Sequence, residues 1–169
     1  MAGKATGGGG PKGTRIGAHI LIIEARFYED IADEMAAGAI AELEARGCTF
    51  ERVDVPGALE IPQVLVAGIE AGSFDAPENG KPFDGALALG CVIRGETFHF
   101  EIVCNNANHW LMEAAVNCGI PVGNAILTVD TREQALERAR GGRDGKGGDA
   151  ARACLRLIEI RRQFAGDET

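Results

Sequence analysis

The stretch Gly90-Cys91-Val92-Ile93-Arg94-Gly95-Glu96-Thr97-Phe98-His99 gathers a histidine, an arginine and a hydroxyl around a glycine-marked turn. A neutral imidazole both takes and gives a proton near neutral pH, so His99 is a candidate proton carrier. A turn that opens a helix presents backbone N–H groups and the positive end of the helix dipole, which suits an anion. Phe27 offers a flat face on which a heterocycle can stack. Glu60, in Val55-Pro56-Gly57-Ala58-Leu59-Glu60, offers a carboxylate that accepts hydrogen bonds from hydroxyls. Arg138, Arg140, Arg143 and Lys146 cluster around glycines and supply positive charge. Each also has an ordinary use. Phe27 can cap a core, Glu60 and His99 can simply begin helices, and the basic run can be a solvated face.

Such residues act together only if the fold brings them to one place. His19 to Glu24 is apolar enough for a buried strand. Tyr28 to Arg46 places Ile31, Met35, Ala36, Ile40 and Leu43 at helical spacing, and Gly47 is a natural stop. Thr49 to Val55 reads as a second strand, and Leu59 to Ala71 as a helix that tolerates Pro62 only in its first turn. Gly85 to Ile93 reads as a third strand buried on both faces, followed by a long helix from His99 to Cys118 that Gly119-Ile120-Pro121 ends. Val122 to Val129 is a fourth strand, and Arg132 to Arg140 a short helix. A charged, glycine-rich turn from Arg140 to Gly148 leads to a last amphipathic helix, Asp149 to Phe164. Strands that alternate with helices pair in parallel, with right-handed crossovers and helices on both faces. The strand C-termini then share one edge, where Phe27, Val55 to Glu60, Arg94 to His99 and Asp130-Thr131 converge.

The 169 residues suit a single domain with a substantial core. We expect it over 14–166, after a flexible glycine-rich tail at 1–13. That tail lacks the apolar stretch of a secretory signal. The net charge of −8 and the lack of a basic stripe with interleaved aromatics argue against nucleic-acid binding. No apolar run approaches the length of a membrane span. The five cysteines, Cys48, Cys91, Cys104, Cys118 and Cys154, form no C-x-x-C pair. Buried free thiols in a reducing cytoplasm are the expectation, with no metal site.

Five segments in order carry a resemblance to the 6,7-dimethyl-8-ribityllumazine synthases of riboflavin synthesis: Ala25-Arg26-Phe27; Val55 to Pro62; Gly90 to His99, with the pattern G-x-V-I-R-G-x-T-x-H; Gly123-Asn124-Ala125-Ile126-Leu127-Thr128; and Glu133 to Ala139 followed by Lys146-Gly147. The resemblance spans Arg15 to about Phe164. It implies a flavodoxin-like, three-layer α/β/α sandwich on a four-stranded parallel sheet of order 2-1-3-4. It implies a transferase that condenses 5-amino-6-(D-ribitylamino)uracil with 3,4-dihydroxy-2-butanone 4-phosphate and needs no cofactor.

By the same resemblance Phe27 stacks on the pyrimidine, Val92 and Ile93 flank the ring, and Gly57, Ala58, Leu59 and Glu60 line the ribityl chain. Glu96, Thr97, Arg138 and Lys146 bind phosphate, and His99 shuttles protons. Asn124 stands where many relatives carry an aromatic that reaches a neighbouring subunit's site. The family assembles as pentamers, some packing into decamers or sixty-subunit shells, and riboflavin synthase is a candidate partner. The turn Arg140 to Gly148 departs from the Gly-Thr-Lys-x-Gly-Asn-Lys-Gly pattern of shell-forming members. Thr14 to Ala18 is a segment that could add a strand to a neighbour's sheet. The joint presence of His99 and Arg138 speaks against a protein that merely binds the ring, which needs neither shuttle nor phosphate clamp.

Overall fold

A computed structural model describes residues 13–166. The tail expected over 1–13 therefore lies, apart from Gly13, outside the described residues. The elements run β1 (His19–Ala25), α1 (Glu29–Ala45), β2 (Thr49–Val55), a single 3-10 turn (Ala58–Glu60), α2 (Ile61–Glu70), β3 (Gly85–Ile93), α3 (His99–Cys118), β4 (Val122–Val129), α4 (Arg132–Ala139), a second 3-10 turn (Gly142–Asp144) and α5 (Lys146–Ala165). Among these residues Thr14 to Ala18 is not a strand.

The four strands form one sheet in the order β2-β1-β3-β4, parallel at every pairing. β1 is buried along its whole length and β3 through its first two-thirds, as their unbroken apolar runs require. β2 lies at the sheet edge and is largely exposed. Successive side chains of a strand point to opposite faces, so each strand feeds two cores. Ile20, Ile22, Leu87, Leu89, Ala125 and Leu127 meet residues of α1, α4 and α5 on one face. Leu21, Ile23, Ala86, Ala88, Val122 and Ile126 meet Ile61 and Leu65 of α2 and Val103, Ala107 and Leu111 of α3 on the other. The result is the three-layer α/β/α sandwich of flavodoxin-like type.

Helix ends follow local chemistry. The Thr131 hydroxyl accepts the Gln134 N–H at the start of α4. Gly119, at φ 66°, closes α3 in the left-handed conformation that glycine adopts without strain. Two boundaries differ from the sequence reading by more than one residue. The chain enters α2 through a 3-10 turn at Ala58, and α5 begins at Lys146 rather than Asp149. Gly147 and Gly148 read as turn residues, yet they lie in the first turn of α5. A Cβ on Gly147 would stand 2.0 Å from the Met35 carbonyl oxygen. The glycine therefore serves close approach of α5 to α1 rather than a bend.

Candidate active site at the carboxyl edge of the sheet

A cavity of about 410 Å³ opens where β1, β2 and β3 end. Parallel strands bring their C-termini together there, and the loops that leave them form the walls. Phe27 and Tyr28 come from the turn after β1, Pro56 to Glu60 from the turn after β2, and Cys91, Val92 and Ile93 from the end of β3. Gly95, Thr97, His99, Phe100 and Val103 close it from the β3–α3 turn and the first turns of α3. His99, Phe100 and Val103 share one face of the helix through the i, i+1, i+4 spacing.

Phe27 is 71% exposed and meets Tyr28 edge to face at 4.9 Å. An aromatic face so open to the cavity is available for stacking. The wall beneath is mostly apolar, with Ala58 and Val103 buried, which suits the body of a flat ring. Polar groups converge at the rim. Glu60 sits in the 3-10 turn, half-buried, with its carboxylate folded back over Gly57. The Thr97 hydroxyl accepts the His99 backbone N–H at 3.4 Å, a long contact. His99 is exposed at the very start of α3.

The cavity thus unites nine residues singled out in the sequence: Phe27, Gly57, Ala58, Leu59, Glu60, Val92, Ile93, Thr97 and His99. Four others stand apart. Glu96 is exposed in the turn but is not part of the lining. Asn124 lies on β4, where its amide donates to Asn108 Oδ1 at 2.7 Å and its oxygen accepts the Ile126 N–H at 2.9 Å. Arg138, on α4, donates to the Gln134 carbonyl at 3.0 Å. Lys146, at the start of α5 rather than in a turn, donates to Asp149 at 3.0 Å. Among the described residues the lining of the cavity contains neither lysine nor arginine.

Sequence reasoning passed over Tyr28, Cys91, Phe100 and Val103 as wall residues. The helical spacing from His99 was the signal for the last two. Burial pushes the Cys91 thiol up to about 11, so this wall cysteine is a packing group and not a nucleophile. All five cysteines are free thiols; only Cys48 and Cys154 are buried, while Cys118 is exposed, against the expectation of general burial. His109 and Trp110 lie on the exposed face of α3, with His109 3.2 Å from Glu113. Among the described residues no group of three or more His, Cys, Asp or Glu side chains is placed to hold a metal ion. No helix among the described residues is long and apolar enough to cross a membrane.

A family model described as 6,7-dimethyl-8-ribityllumazine synthase matches residues 17–162, nearly the whole sandwich. The chain belongs to this family. It is 52% identical over 149 residues to "6,7-dimethyl-8-ribityllumazine synthase 1" of Rhodopseudomonas palustris, covering 88% of this chain and 89% of that one. It is 50% identical to the 6,7-dimethyl-8-ribityllumazine synthase of Nitrobacter hamburgensis, with the same coverage. It is 47% identical to that of Agrobacterium fabrum, covering 88% of this chain and 97% of the relative.

Proposed function

We propose that the cavity is the pyrimidine and ribityl half of an active site shared between neighbouring subunits. As a member of its family the chain condenses 5-amino-6-(D-ribitylamino)uracil with 3,4-dihydroxy-2-butanone 4-phosphate, giving 6,7-dimethyl-8-ribityllumazine, phosphate and two molecules of water. In this reading the pyrimidine stacks on Phe27 between Val92 and Ile93, and the ribityl chain runs past Gly57, Ala58 and Leu59 to the Glu60 carboxylate. The amine adds to the ketone and water leaves as the imine forms. Phosphate is then eliminated, and the second nitrogen closes the ring with loss of water. His99 takes and returns protons in these steps, and holding both substrates in one slot supplies the rest of the acceleration.

The observation that carries the shared-site reading is that no lysine or arginine among the described residues lines the cavity. A phosphate dianion in a chain of net charge −8 needs a positive partner, and Arg138 and Lys146 stand outside the cavity of their own subunit. A head-to-tail ring brings them to the next subunit's Thr97 and Glu96. Asn124 then faces the same junction. The assembly is a pentamer or a multiple of it, and sedimentation gives five subunits or a multiple. The enzyme works in the cytoplasm, where riboflavin synthase, which consumes the product, is the partner to test.

The decisive experiment co-assembles two damaged variants, His99→Ala and Arg138→Ala. Alone, Arg138→Ala raises KM for the butanone phosphate by about 30- to 150-fold, the loss of one bidentate charge-assisted contact, with little change for the pyrimidine. In a randomly mixed ring about a quarter of the shared sites draw an intact His99 and an intact Arg138 from different subunits. Absorbance of the lumazine product then rises above the mean of the two separate variants. Activity equal to that mean refutes the shared site.

A further inference from the structure

Arg94 follows the last residue of β3 and lies outside the cavity lining, yet its side chain ties together several elements of this edge. Its backbone N–H donates to the Val129 carbonyl at 2.9 Å, continuing the β3–β4 pairing one residue past the strands. Its Nε donates to Asp130 Oδ1 at 2.8 Å, and its Nη1 donates to Glu101 Oε1. Its guanidinium lies over the Phe100 ring, 4.3 Å from the centroid, a cation–π contact. Phe100 lines the cavity, and Glu101 is in the first turn of α3 beside His99. Asp130 in turn donates its N–H to Gln134 Oε1 at 2.9 Å, and the Gln134 carbonyl accepts from Arg138 at 3.0 Å. One guanidinium therefore clamps the turn that presents His99 and docks the helix that presents Arg138.

We infer that Arg94 is a positioning residue with two arms: Glu101 and Phe100 hold His99 over this subunit's cavity, and Asp130 with Gln134 sets Arg138 for the neighbour's phosphate. The second arm rests on the shared-site reading above. Planar, two-sided contact with carboxylates is arginine chemistry that a lysine point charge does not reproduce. The arms touch different steps, so they separate kinetically. The first arm orients an acid–base group, which acts on kcat. The second orients a phosphate ligand, which acts on KM for one substrate. α4 is also tied to α1 by the Arg132–Asp30 ion pair, so losing the Asp130 arm displaces Arg138 only partly.

The test measures kcat and both KM values for Glu101→Ala, Asp130→Ala, Arg94→Gln and Arg138→Ala, each checked for wild-type assembly and melting temperature. Asp130→Ala raises KM for the butanone phosphate by about three- to tenfold and leaves kcat within about twofold. Glu101→Ala lowers kcat by about three- to tenfold and leaves that KM unchanged. Arg94→Gln shows both defects, and Arg94→Gln/Asp130→Ala is no worse in KM than Arg94→Gln alone. Lower melting temperatures with unchanged kinetic constants overturn the inference, as does an additive KM effect in the double variant. If Arg138→Ala raises KM while Asp130→Ala does not, the positioning role falls and the shared site stands. If Arg138→Ala leaves KM unchanged, the phosphate assignment falls, and the second arm with it.

Discussion

Glu42 is fully buried on α1, and replacing it with glutamine tests what holds the glycine-rich turn in place. Its Oε2 accepts from Arg143 Nε at 2.8 Å and from Arg152 Nη1 at 3.2 Å. Its Oε1 stands 3.7 Å from Arg46 Nη1 and, among the described residues, is the one buried side-chain polar atom without a hydrogen bond. Glutamine keeps the volume and one acceptor oxygen but removes the charge and turns an NH₂ group toward guanidinium donors. Breaking one partner of a buried ion pair costs about 3–5 kcal/mol. Arg143 is 41% exposed and regains water, and Arg46 retains Glu159 at 3.0 Å, so the lower end, about 3 kcal/mol, applies. For a domain of this size that is about 6–12 °C in melting temperature. Thermal unfolding at one fixed protein concentration measures it, because assembly adds its own stability. The effect reaches the site. Arg143 belongs to the turn that leads into Lys146, so KM for the butanone phosphate also rises, with kcat unchanged. A shift under 2 °C refutes the view that this buried carboxylate anchors the turn. Leucine in place of Glu42 is a useful companion, since it leaves three guanidinium groups facing an apolar side chain and unfolds lower still.

Three further outcomes are expected. His99→Ala lowers kcat by about ten- to a hundredfold with pyrimidine binding and assembly intact, since the substrates are intrinsically reactive and a positioned acid–base contributes modestly; wild-type turnover refutes the shuttle role. Hydrogen bonds from Arg132 and Arg94 hold the Asp30 and Glu101 carboxyls below the usual range, and at Asp149 burial acts upward but the hydrogen bonds and charges of Lys146 and Arg152 together hold the carboxyl down. These depressed groups contribute stability that is fully present above the ordinary carboxylate range and is lost as pH falls through it to the lower folded-state values, so denaturant midpoints are flat from pH 7 to 5 and drop below about pH 4. Midpoints that rise on acidification would contradict the ion-pair assignments. Burial pushes the Cys154 thiol up to about 12 and Cys91 to about 11, so a thiol reagent at pH 8 labels neither in the native protein and both after unfolding, as peptide mass mapping reads.

The reach of the sequence is clearest where the signal is local. The periodicity of His99 to Cys118 and the apolar runs at 85–93 and 122–129 set α3, β3 and β4 to the residue, because each element's pattern of burial is written within its own few turns. Alternation of strands and helices determined the parallel sheet, and with it the edge at which Phe27, Glu60 and His99 meet. What the sequence could not decide depends on partners distant along the chain. Gly147 looked like a breaker because the neighbour that demands it, the α1 backbone at Met35, lies more than a hundred residues away. Arg94 looked like one more polar residue of a turn until Asp130, 36 positions on, stood within 2.8 Å. Glu42 carries no local signal of burial, yet it lies beneath Arg143 and Arg152, about a hundred positions further on. The sequence by itself determined the elements, their order and most of the slot that holds a ring. Only the tertiary structure decided which charges pair and which stay outside the slot, because a guanidinium chooses its carboxylate by distance and burial, and neither is encoded in any local pattern.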